Sequence, residues 1–403
     1  MSEVKSASAP LLANQRVAIV GGGPAGLTLA RLLQMNGANV QLFELDASAS
    51  ARDQGGELDL HEDSGQIAIK QAGLLEQFLA VSRPEAQVSQ VYDKHGAIHL
   101  SFGLSEEKIT RPEIERRALR DLLVNSLTPN TVQWGRQLRS IERLSGRGFR
   151  LTFADGSSAE PDLLFGCDGT WSKVRQLVTP VRPQYSGVTF IETRVSAPDK
   201  RHPEISKLVG PGTIMVTGDN RAMMAQRNGS DHIRVYVILR VPEDWARTSG
   251  IDFSQPAQAR QQLLKHFEGW APRVTSMLAQ SDDTFIPRPL YNVPINQAWT
   301  SQPDVALLGD AAHVMPPFTG KGANYAMLDA VELTENLVSG RYPDVAAAIR
   351  AYDDHMLQRM SGAVAETMES QEVMISPRAP DGIVQLFQER IRRGLAAKQQ
   401  ARQ

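Results

Sequence analysis

The chain has 403 residues, a formal net charge of −2 and a single cysteine, and no apolar run in it approaches the roughly 18 residues of a membrane span. The length exceeds what one hydrophobic core fills, so we expect two or three domains, and the near-neutral charge argues against nucleic acid as a partner. Residues 1–13 lack the basic start and continuous apolar stretch of an export signal, so we expect the protein in the cytoplasm. The lone Cys167 excludes an intramolecular disulfide and a cysteine-based zinc cluster, and we expect no metal site.

The first predicted element is a short buried strand that runs into a glycine-rich turn. Strand 16–20 is followed by Gly21-Gly-Gly-Pro-Ala-Gly26 and by a predicted helix over 27–36. Gly21, Gly23 and Gly26 fit the pattern G-x-G-x-x-G. In that pattern the glycines permit a tight turn, let the backbone approach a pyrophosphate, and let the helix pack against the strand.

The next predicted strand carries the acid that such a turn requires. It spans residues 39–44 and ends on Glu44. An acid about 20 residues beyond the glycines binds a ribose in dinucleotide-binding folds. Strand, turn, helix, strand and acid together predict a dinucleotide-binding unit.

Two later strands also end at a carboxylate beside a glycine. An apolar strand over 162–167 ends at Asp168-Gly169, and another over 305–308 ends at Gly309-Asp310. The second is followed by two prolines and two glycines, and then by a helix whose N-terminus carries partial positive charge. Such a helix end can hold an anion, or a ring that becomes anionic during a reaction.

The interval between these motifs predicts a sheet of its own. The predicted strands, separated by turns rich in Gly, Asn and Asp, span 187–195, 213–217, 221–226 and 232–241. We expect an antiparallel sheet, covered by a helix over 256–267. Apolar residues at helical spacing over 346–374 predict a long helix that returns across both domains.

Strand alternation assigns side chains to faces of that sheet. Phe190, Glu192 and Arg194 share one face of their strand, as do His232, Arg234 and Tyr236 on theirs. Glu192 and Arg234 could form a polar wall of a cavity, or they could pair with each other as a structural ion pair.

The domain organisation follows from where the cofactor motifs lie. We predict a discontinuous cofactor domain over 1–80, 105–178 and 290–343, and a substrate domain over 81–104 and 179–289. A bridging helix would occupy 344–376 and a tail 377–403.

Taken together, the motifs resemble those of the single-component FAD-dependent aromatic hydroxylases, and within that superfamily most resemble those of the tetracycline-inactivating flavin monooxygenases. The segments that carry the resemblance span nearly the whole chain and are 56–61 with Gly65-Gln66, 111–116, 168–175 and 309–322. The resemblance implies an α/β fold with a Rossmann-like FAD-binding domain. It also implies an α+β substrate domain built on an antiparallel sheet, and a long C-terminal bridging helix.

The activity implied by the resemblance is hydroxylation of a phenolic or polycyclic substrate, with tetracycline as the named candidate. NADPH or NADH would reduce FAD, and O2 would react to give a flavin C4a-hydroperoxide in a site that excludes water. No second G-x-G-x-x-G follows a strand, so we expect the nicotinamide to bind transiently. We expect a monomer that binds a small molecule and does not act at a membrane.

The resemblance also implies cofactor residues, position by position. They are Gly21, Gly23, Gly26, Glu44, Asp59, Arg116, Asp168, Asp310, Pro317, Gly322 and Asn324. Glu44 would bind the adenosine ribose, Arg116 the ribityl or phosphate portion, and Asp310 the ribityl chain, although Asp310 could also be a structural cap. No catalytic acid or base is assigned; the helix end at Pro317, Gly320 and Gly322 would stabilise negative charge on the flavin.

Three further positions in this cofactor region are two histidines with a structural alternative and one departure from the family pattern. His61 and His313 are each equally well explained as structural histidines. Leu45 stands where the tetracycline-inactivating enzymes carry arginine, so an adenine-stacking contact would be missing and FAD held less tightly.

Substrate residues are implied by the same resemblance. They are Glu192, Thr213, Met224, Arg234, Phe318 and Met374. Glu192, Thr213 and Arg234 replace the glutamine, arginine and histidine with which the tetracycline-inactivating enzymes hold the drug, while Phe318 and Met374 could also be ordinary core.

Other functions stay open at this point. The chain could be a related hydroxylase of secondary metabolism, a flavin dehydrogenase or halogenase, or a flavin-binding sensor or drug-sequestering protein without turnover. Halogenases of this fold carry a lysine in a tryptophan-rich motif, and the tryptophans here are scattered.

Overall fold

A computed structural model describes residues 10–51, 55–103, 111–294 and 298–400 of the chain. The strands in it are β1 (Arg16–Val20), β2 (Asn39–Phe43), β3 (Glu57–Asp59), β4 (Ser89–Asp93), β5 (Ile98–Phe102), β6 (Glu113–Glu115), β7 (Val132–Gln133), β8 (Leu138–Arg143), β9 (Phe149–Phe153), β10 (Ser158–Ala159), β11 (Leu163–Gly166), β12 (Gln184–Ser196), β13 (Thr213–Gly218), β14 (Arg221–Asn228), β15 (His232–Arg240), β16 (Ile286–Asn292) and β17 (Val305–Leu307).

The α-helices are α1 (Pro24–Met35), α2 (Gly65–Gln71), α3 (Leu75–Val81), α4 (Arg116–Asn125), α5 (Pro198–Arg201), α6 (Pro203–Val209), α7 (Trp245–Thr248), α8 (Pro256–Lys265), α9 (Pro272–Ala279), α10 (Asp310–His313), α11 (Gly322–Val338), α12 (Val345–Met374) and α13 (Asp381–Gln400). Short 3-10 helices lie at Pro10–Leu12, Pro84–Gln87, Val174–Leu177 and Pro317–Thr319.

The chain divides into two compact units. The first contains Met1–Ser82, Ile114–Gln184 and Tyr291–Glu366, and the second contains Arg83–Glu113, Tyr185–Leu290 and Thr367–Gln403. The long helix α12 changes unit after Glu366. The domain boundaries inferred from sequence remain predictions, and the one between residues 104 and 105 lies outside the described residues.

The first unit is built on a parallel sheet in the order β17-β11-β1-β2-β7. Its central strands are short and apolar because helices cover such sheets on both faces. The register places Val20 beside both Phe43 and Gly166, and Gly166 beside Leu307. The carboxyl ends of four strands therefore lie along one edge of this sheet.

Helix α1 begins three residues earlier than the sequence predicts. Gly23 is its N-cap and Pro24 its first residue. Proline suits this position because its fixed φ matches the helix and its missing N–H is not needed there. Gly26 consequently lies inside the helix.

The second unit contains a mixed sheet in the order β16-β12-β15-β14-β13-β4-β5. The strands predicted between 187 and 241 pair antiparallel as expected, whereas β13 pairs parallel with β4. One face packs on α6, α8 and α9 in a core that includes Ile191, Val216, Val235, Leu263 and Met277. The predicted helix over 256–267 thus covers the sheet, although it ends at Lys265.

Among the residues that the structure describes, no helix combines the length and apolar character needed to cross a lipid bilayer.

Candidate cofactor and substrate sites

The motifs found in the sequence meet at the carboxyl edge of the parallel sheet. Gly21 follows β1, Glu44 follows β2, Asp168 lies just beyond β11 and Gly309 just beyond β17. In open α/β sheets, ligands bind outside the carboxyl ends of the strands. The topology therefore brings residues from four separate segments to one candidate cofactor site in the first unit.

The structure explains in different ways why glycine occurs at each of the three motif positions in the first turn. Gly21 adopts a φ of +106°, and a Cβ there would lie 2.1 Å from the carbonyl oxygen of Cys167. A Cβ on Gly26 would lie 2.0 Å from the carbonyl oxygen of Gly21. Around Gly23, apart from its own chain neighbours, no atom of the described residues lies within 4 Å of such a Cβ. Gly21 and Gly26 are thus required by packing within the protein, while Gly23 faces space that a ligand can occupy.

Glu44 is buried beside this turn, and its carboxylate organises the turn. Oε2 accepts a hydrogen bond from the Gly22 N–H at 2.5 Å, and Oε1 accepts one from the Asp46 N–H at 2.9 Å. Because a carboxylate has about four acceptor positions, these bonds leave capacity for ribose hydroxyls. The neighbouring Leu45 is 61% exposed.

Arg120 is a charged residue at this site that the sequence motifs did not reveal. It is buried, donates to Asp46 Oδ2 at 2.8 Å, and lies 3.7 Å from Glu44 Oε1. Its guanidinium also lies over the ring of Trp134, 5.2 Å from the centroid. Arg120 balances the two buried acids, which lie 74 and 76 residues away in sequence, so local pattern could not identify it.

A pocket opens where the glycine turn meets helix α4. It is lined by Gly22, Gly23, Pro24, Leu27, Arg116, Leu119, Arg120 and Leu123. Arg116 and the N-terminus of α1 make this a favourable place for a pyrophosphate, while the charge of Arg120 is already balanced by Asp46 and Glu44. The residues present therefore fit the phosphate portion of a dinucleotide.

Asp310 is the first residue of the short helix α10, and the backbone of this helix is held by Arg175. Arg175 is buried and donates to the carbonyl oxygens of Asp310 at 2.8 Å, of Ala311 at 2.7 Å and of Thr170 at 2.7 Å. Arg175 thereby ties the two loops that follow β11 and β17.

The Asp310 side chain is exposed to solvent on one side. The surrounding protein nevertheless desolvates its carboxyl group and raises its pKa. The positive charges of His313, Arg116 and Arg175 oppose that increase. The Asp310 carboxylate thus lies within the electrostatic influence of Arg116, one of the other predicted cofactor residues.

Asp168 uses its carboxylate within the protein. It accepts hydrogen bonds from the Ser172 hydroxyl and from the Lys173 N–H at 2.8 Å, at the start of the 3-10 helix Val174–Leu177. Burial raises the pKa of Asp168, and these bonds partly offset the increase. Its direct contact with a cofactor remains a prediction; its observed role is to fold the loop that contains Arg175.

Asn324, in the first turn of α11, connects that helix to the segment after β3. Its Oδ1 accepts from the His61 N–H at 2.8 Å and the Gly65 N–H at 3.2 Å, and its Nδ2 donates to the Asp59 carbonyl oxygen at 2.8 Å. Because the side chain is buried in these bonds, its observed role is to position Asp59 and the helix end.

The loop before α11 brings the remaining predicted cofactor residues together. A Cβ on Gly320 would lie 3.1 Å from Asp59 Oδ1, and Asp59 Oδ2 lies 2.8 Å from His61 Nε2. Pro317 is exposed in the 3-10 helix before Gly320, and α11 begins at Gly322. The helix N-terminus, Asp59 and His61 therefore form one cluster, in which His61 has a carboxylate partner.

His313 is buried and donates to Asp329 Oδ2 at 2.7 Å. Asp329 is a second residue that the motifs did not indicate. The sequence gives one weak signal for it: Asp329 is an acid among apolar helix residues, such as Ala326, Ala330 and Leu333, that are buried in the structure.

In the second unit, the predicted substrate residues lie on the sheet face opposite the helices α6, α8 and α9. The register aligns Met215, Met224, Tyr236 and Glu192 across neighbouring strands. Met224 and Tyr236 are partly exposed, as is Thr213 two residues from Met215. This mixed face carries thioether, aromatic and polar groups.

Glu192 and Arg234 form an ion pair on this face, so the structural alternative from the sequence is observed. Both side chains are buried, at 8% and 4% exposed. Glu192 Oε2 also accepts from Arg288, which is 51% exposed on the edge strand β16. Arg288 is a further residue that sequence reasoning missed.

Two predicted apolar contacts lie in different units. Phe318 is partly buried in the first unit, in the loop before α11. Met374 is buried at the end of α12 in the second unit, where its carbonyl oxygen accepts from the Thr217 hydroxyl at 2.7 Å. Their contact with substrate remains a prediction.

Two sequence comparisons identify the family to which the chain belongs. A family model described as FAD binding domain matches residues 14–364. The monooxygenase penA of Penicillium thymicola is 31% identical over 371 residues, covering 80% of this chain and 84% of that protein.

Two solved structures share the fold. Klebsiella pneumoniae HpxO with bound FAD and uric acid has a TM-score of 0.75 at 20% identity, covering 94% of this chain and 93% of that one. The tetracycline destructase Tet(51) has a TM-score of 0.67 at 17% identity, covering 94% and 95%. The family and the fold implied by the motifs are thus confirmed, and the chain belongs to the FAD-binding family of flavin-dependent monooxygenases.

Proposed function

We propose that this protein uses NADPH or NADH and O2 to hydroxylate a phenolic or polycyclic small molecule. The observation that carries the proposal is the mixed sheet face of the second unit. There, partly exposed Met224 and Tyr236 lie in register with the buried carboxylate of Glu192. A face of this composition suits a flat aromatic ligand with a polar edge.

The cofactor half of the proposal rests on the carboxyl edge of the parallel sheet. Gly23 leaves room for a pyrophosphate, Arg116 supplies positive charge, and Glu44 retains acceptor capacity for a ribose. Asp310 would accept hydrogen bonds from the ribityl hydroxyls. When bound, FAD supplies the redox chemistry and the activation of O2.

The chain's own residues provide position and charge stabilisation. The N-terminus of α11 directs backbone N–H groups toward one place, where they stabilise negative charge. Asn324 fixes this helix end to Asp59, so the donors are held before any ligand binds. Such preorganisation is what makes a dipole effective in catalysis.

On the substrate side, we propose that Glu192 accepts a hydrogen bond from a substrate hydroxyl group. Arg234 and Arg288 hold the carboxylate in place. The Tyr236 ring, 5.6 Å from the Phe190 ring, would support the aromatic part of the substrate together with Met224. The likeness in fold to a tetracycline destructase makes tetracycline one compound to test.

The proposal is tested with purified, FAD-loaded protein and a panel of tetracyclines, anthracyclines and simple phenols. We expect one class to stimulate oxidation of NADPH or NADH and to yield a product heavier by one oxygen atom. A flavin spectral shift on binding, with neither nucleotide oxidation nor product for any compound, would identify a binding protein and contradict the proposal.

A further inference from the structure

The turn that presents Asp310 is held by a buried carboxylate on helix α11. Asp329 is fully buried, and its Oδ2 accepts a hydrogen bond from the Gly309 N–H at 2.8 Å and another from His313 Nε2 at 2.7 Å. Gly309 precedes α10 and His313 ends it. A single oxygen atom therefore fixes both ends of the helix that begins with Asp310.

Helix α12 supports this carboxylate from behind. Arg359 donates to Asp329 Oδ1 and also pairs with Glu332. Burial opposes the charged form of Asp329, but His313, Arg359 and the Gly309 N–H outweigh burial and hold its pKa below the usual value. Asp329 is thus a charged acceptor with both oxygens engaged.

The backbone of the turn has a conformation and a buried N–H group that constrain what can surround it. Gly309 has a φ of +59°, and a Cβ there would lie 2.9 Å from the Cβ of Ala326. Its N–H is buried, and a buried N–H without an acceptor is costly. Arg175 holds the carbonyl oxygens of Asp310 and Ala311, so Asp329 supplies the complementary restraint on the N–H side.

We infer that Asp329 is a positioning residue that acts through Asp310. It fixes the backbone from Gly309 to His313, and the exposed Asp310 carboxylate is thereby presented to the ribityl chain of FAD in one orientation. This inference rests on the proposed role of Asp310, and on residues that no local motif connects.

A double-mutant cycle on FAD binding tests the inference without any assay of turnover. FAD-free wild-type protein, Asp310→Ala, Asp329→Asn and the double variant are titrated with FAD, and the dissociation constant is measured by flavin fluorescence. We expect Asp310→Ala to weaken FAD binding about 10- to 100-fold, because this is the contribution expected of a hydrogen bond to a charged group. Asp329→Asn alone should weaken it about tenfold, but less than about threefold when Asp310 is already alanine, because coupled residues are not additive.

Controls separate positioning from a loss of folding. Glu335→Gln changes an exposed acid on the same helix and should leave FAD affinity unchanged. If Asp329→Asn does not fold, Arg359→Gln removes the support behind Asp329 while keeping the Gly309 contact, and its smaller loss should also vanish in the Asp310→Ala background.

Two results would overturn the inference. One is an unchanged FAD affinity in Asp329→Asn; the other is an equal fold-loss with and without Asp310. If Asp310→Ala itself binds FAD like the wild type, the proposed role of Asp310 is wrong, and the inference fails with it for that separate reason.

Discussion

Glu192 on β12 and Arg234 on β15 form an ion pair in which both side chains are almost completely buried. The register places Glu192 opposite Tyr236, so the pair is diagonal across the two strands. A buried pair of this kind is costly to break, because the remaining charge loses its partner in a region of low dielectric. The pair therefore connects the stability of the second unit to the face proposed to bind substrate.

Replacing Glu192 by glutamine should destabilise the protein. The change removes the charge that Arg234 and Arg288 share, and we expect a loss of about 3 kcal/mol in the free energy of unfolding, measured with urea. Glu142→Gln is the matched control, since Glu142 is 66% exposed in its pair with Arg150. It should cost less than about 1 kcal/mol. Equal losses in the two variants would show that burial does not make the Glu192–Arg234 pair more important for stability than an exposed pair.

Gly23→Ala should separate cofactor binding from folding. Apart from the chain neighbours of Gly23, no atom of the described residues lies within 4 Å of an added Cβ, so the melting temperature of the FAD-free protein should change little. FAD affinity should fall by about tenfold or more if the pyrophosphate passes here, because the second glycine of the motif is the one that lets the backbone approach the pyrophosphate closely. Gly146→Ala, which also meets open space but lies far from the motif, is the control. Unchanged FAD affinity in Gly23→Ala would place the cofactor elsewhere.

Gly21→Ala is expected to behave differently. Its Cβ would overlap the Cys167 carbonyl oxygen, so the parallel sheet itself must shift. We predict a loss of thermal stability in the FAD-free protein, read by circular dichroism. A stable Gly21→Ala protein would contradict the packing described for β1 and β11.

Arg175→Lys should weaken the cofactor site while retaining the charge. The guanidinium holds three carbonyl oxygens in a fixed geometry, which a single ammonium group cannot reproduce. We expect FAD affinity to fall about tenfold through the loss of one or two of these bonds. Arg139→Lys, at an exposed position, should leave it unchanged. The prediction is wrong if the two lysine variants bind FAD equally well.

The buried Asp353 should make the free energy of unfolding depend on pH in a specific way. It is 2% exposed on α12, and burial raises its pKa to about 6, although Ser301 and Trp299 partly stabilise the charged form. Between about pH 4 and pH 6 the folded protein therefore binds more protons than the unfolded chain at this residue. Its contribution to stability is present below that window and is lost as the pH rises through it, by up to about 3 kcal/mol.

Asp353→Asn should consequently stabilise the protein at pH 8 and have little effect at pH 4. Thermal melts at both values measure this, with the exposed neighbour Asp354→Asn as the control. A gain that is the same at pH 4 and pH 8 would show that Asp353 is not the titrating group.

Much of the cofactor edge could be predicted from sequence because each of its elements is local. A strand that ends in Gly21 or in Asp168 is recognisable within a few residues, and parallel strands place their carboxyl ends together. The faces of the second sheet were predictable for a similar reason, since side chains alternate along a strand. That rule placed Glu192 and Arg234 correctly but could not decide whether they would pair.

The residues that sequence reasoning missed depend on long-range packing. Arg120 pairs with Asp46 across 74 positions, and Arg359 with Asp329 across 30. Neither pair lies within a motif or at helical spacing, so periodicity gives no signal for it. The sequence predicts that Glu44 binds a ribose, and the structure adds that the same carboxylate shapes the Gly22 turn.

The most direct test of the account is to run the reaction under isotopically heavy O2 with a substrate that stimulates NADPH or NADH oxidation. The account predicts that one heavy oxygen atom appears in the organic product, in proportion to the nucleotide consumed. Nucleotide consumption matched by hydrogen peroxide, with no labelled product from any phenolic or polycyclic compound, would contradict it.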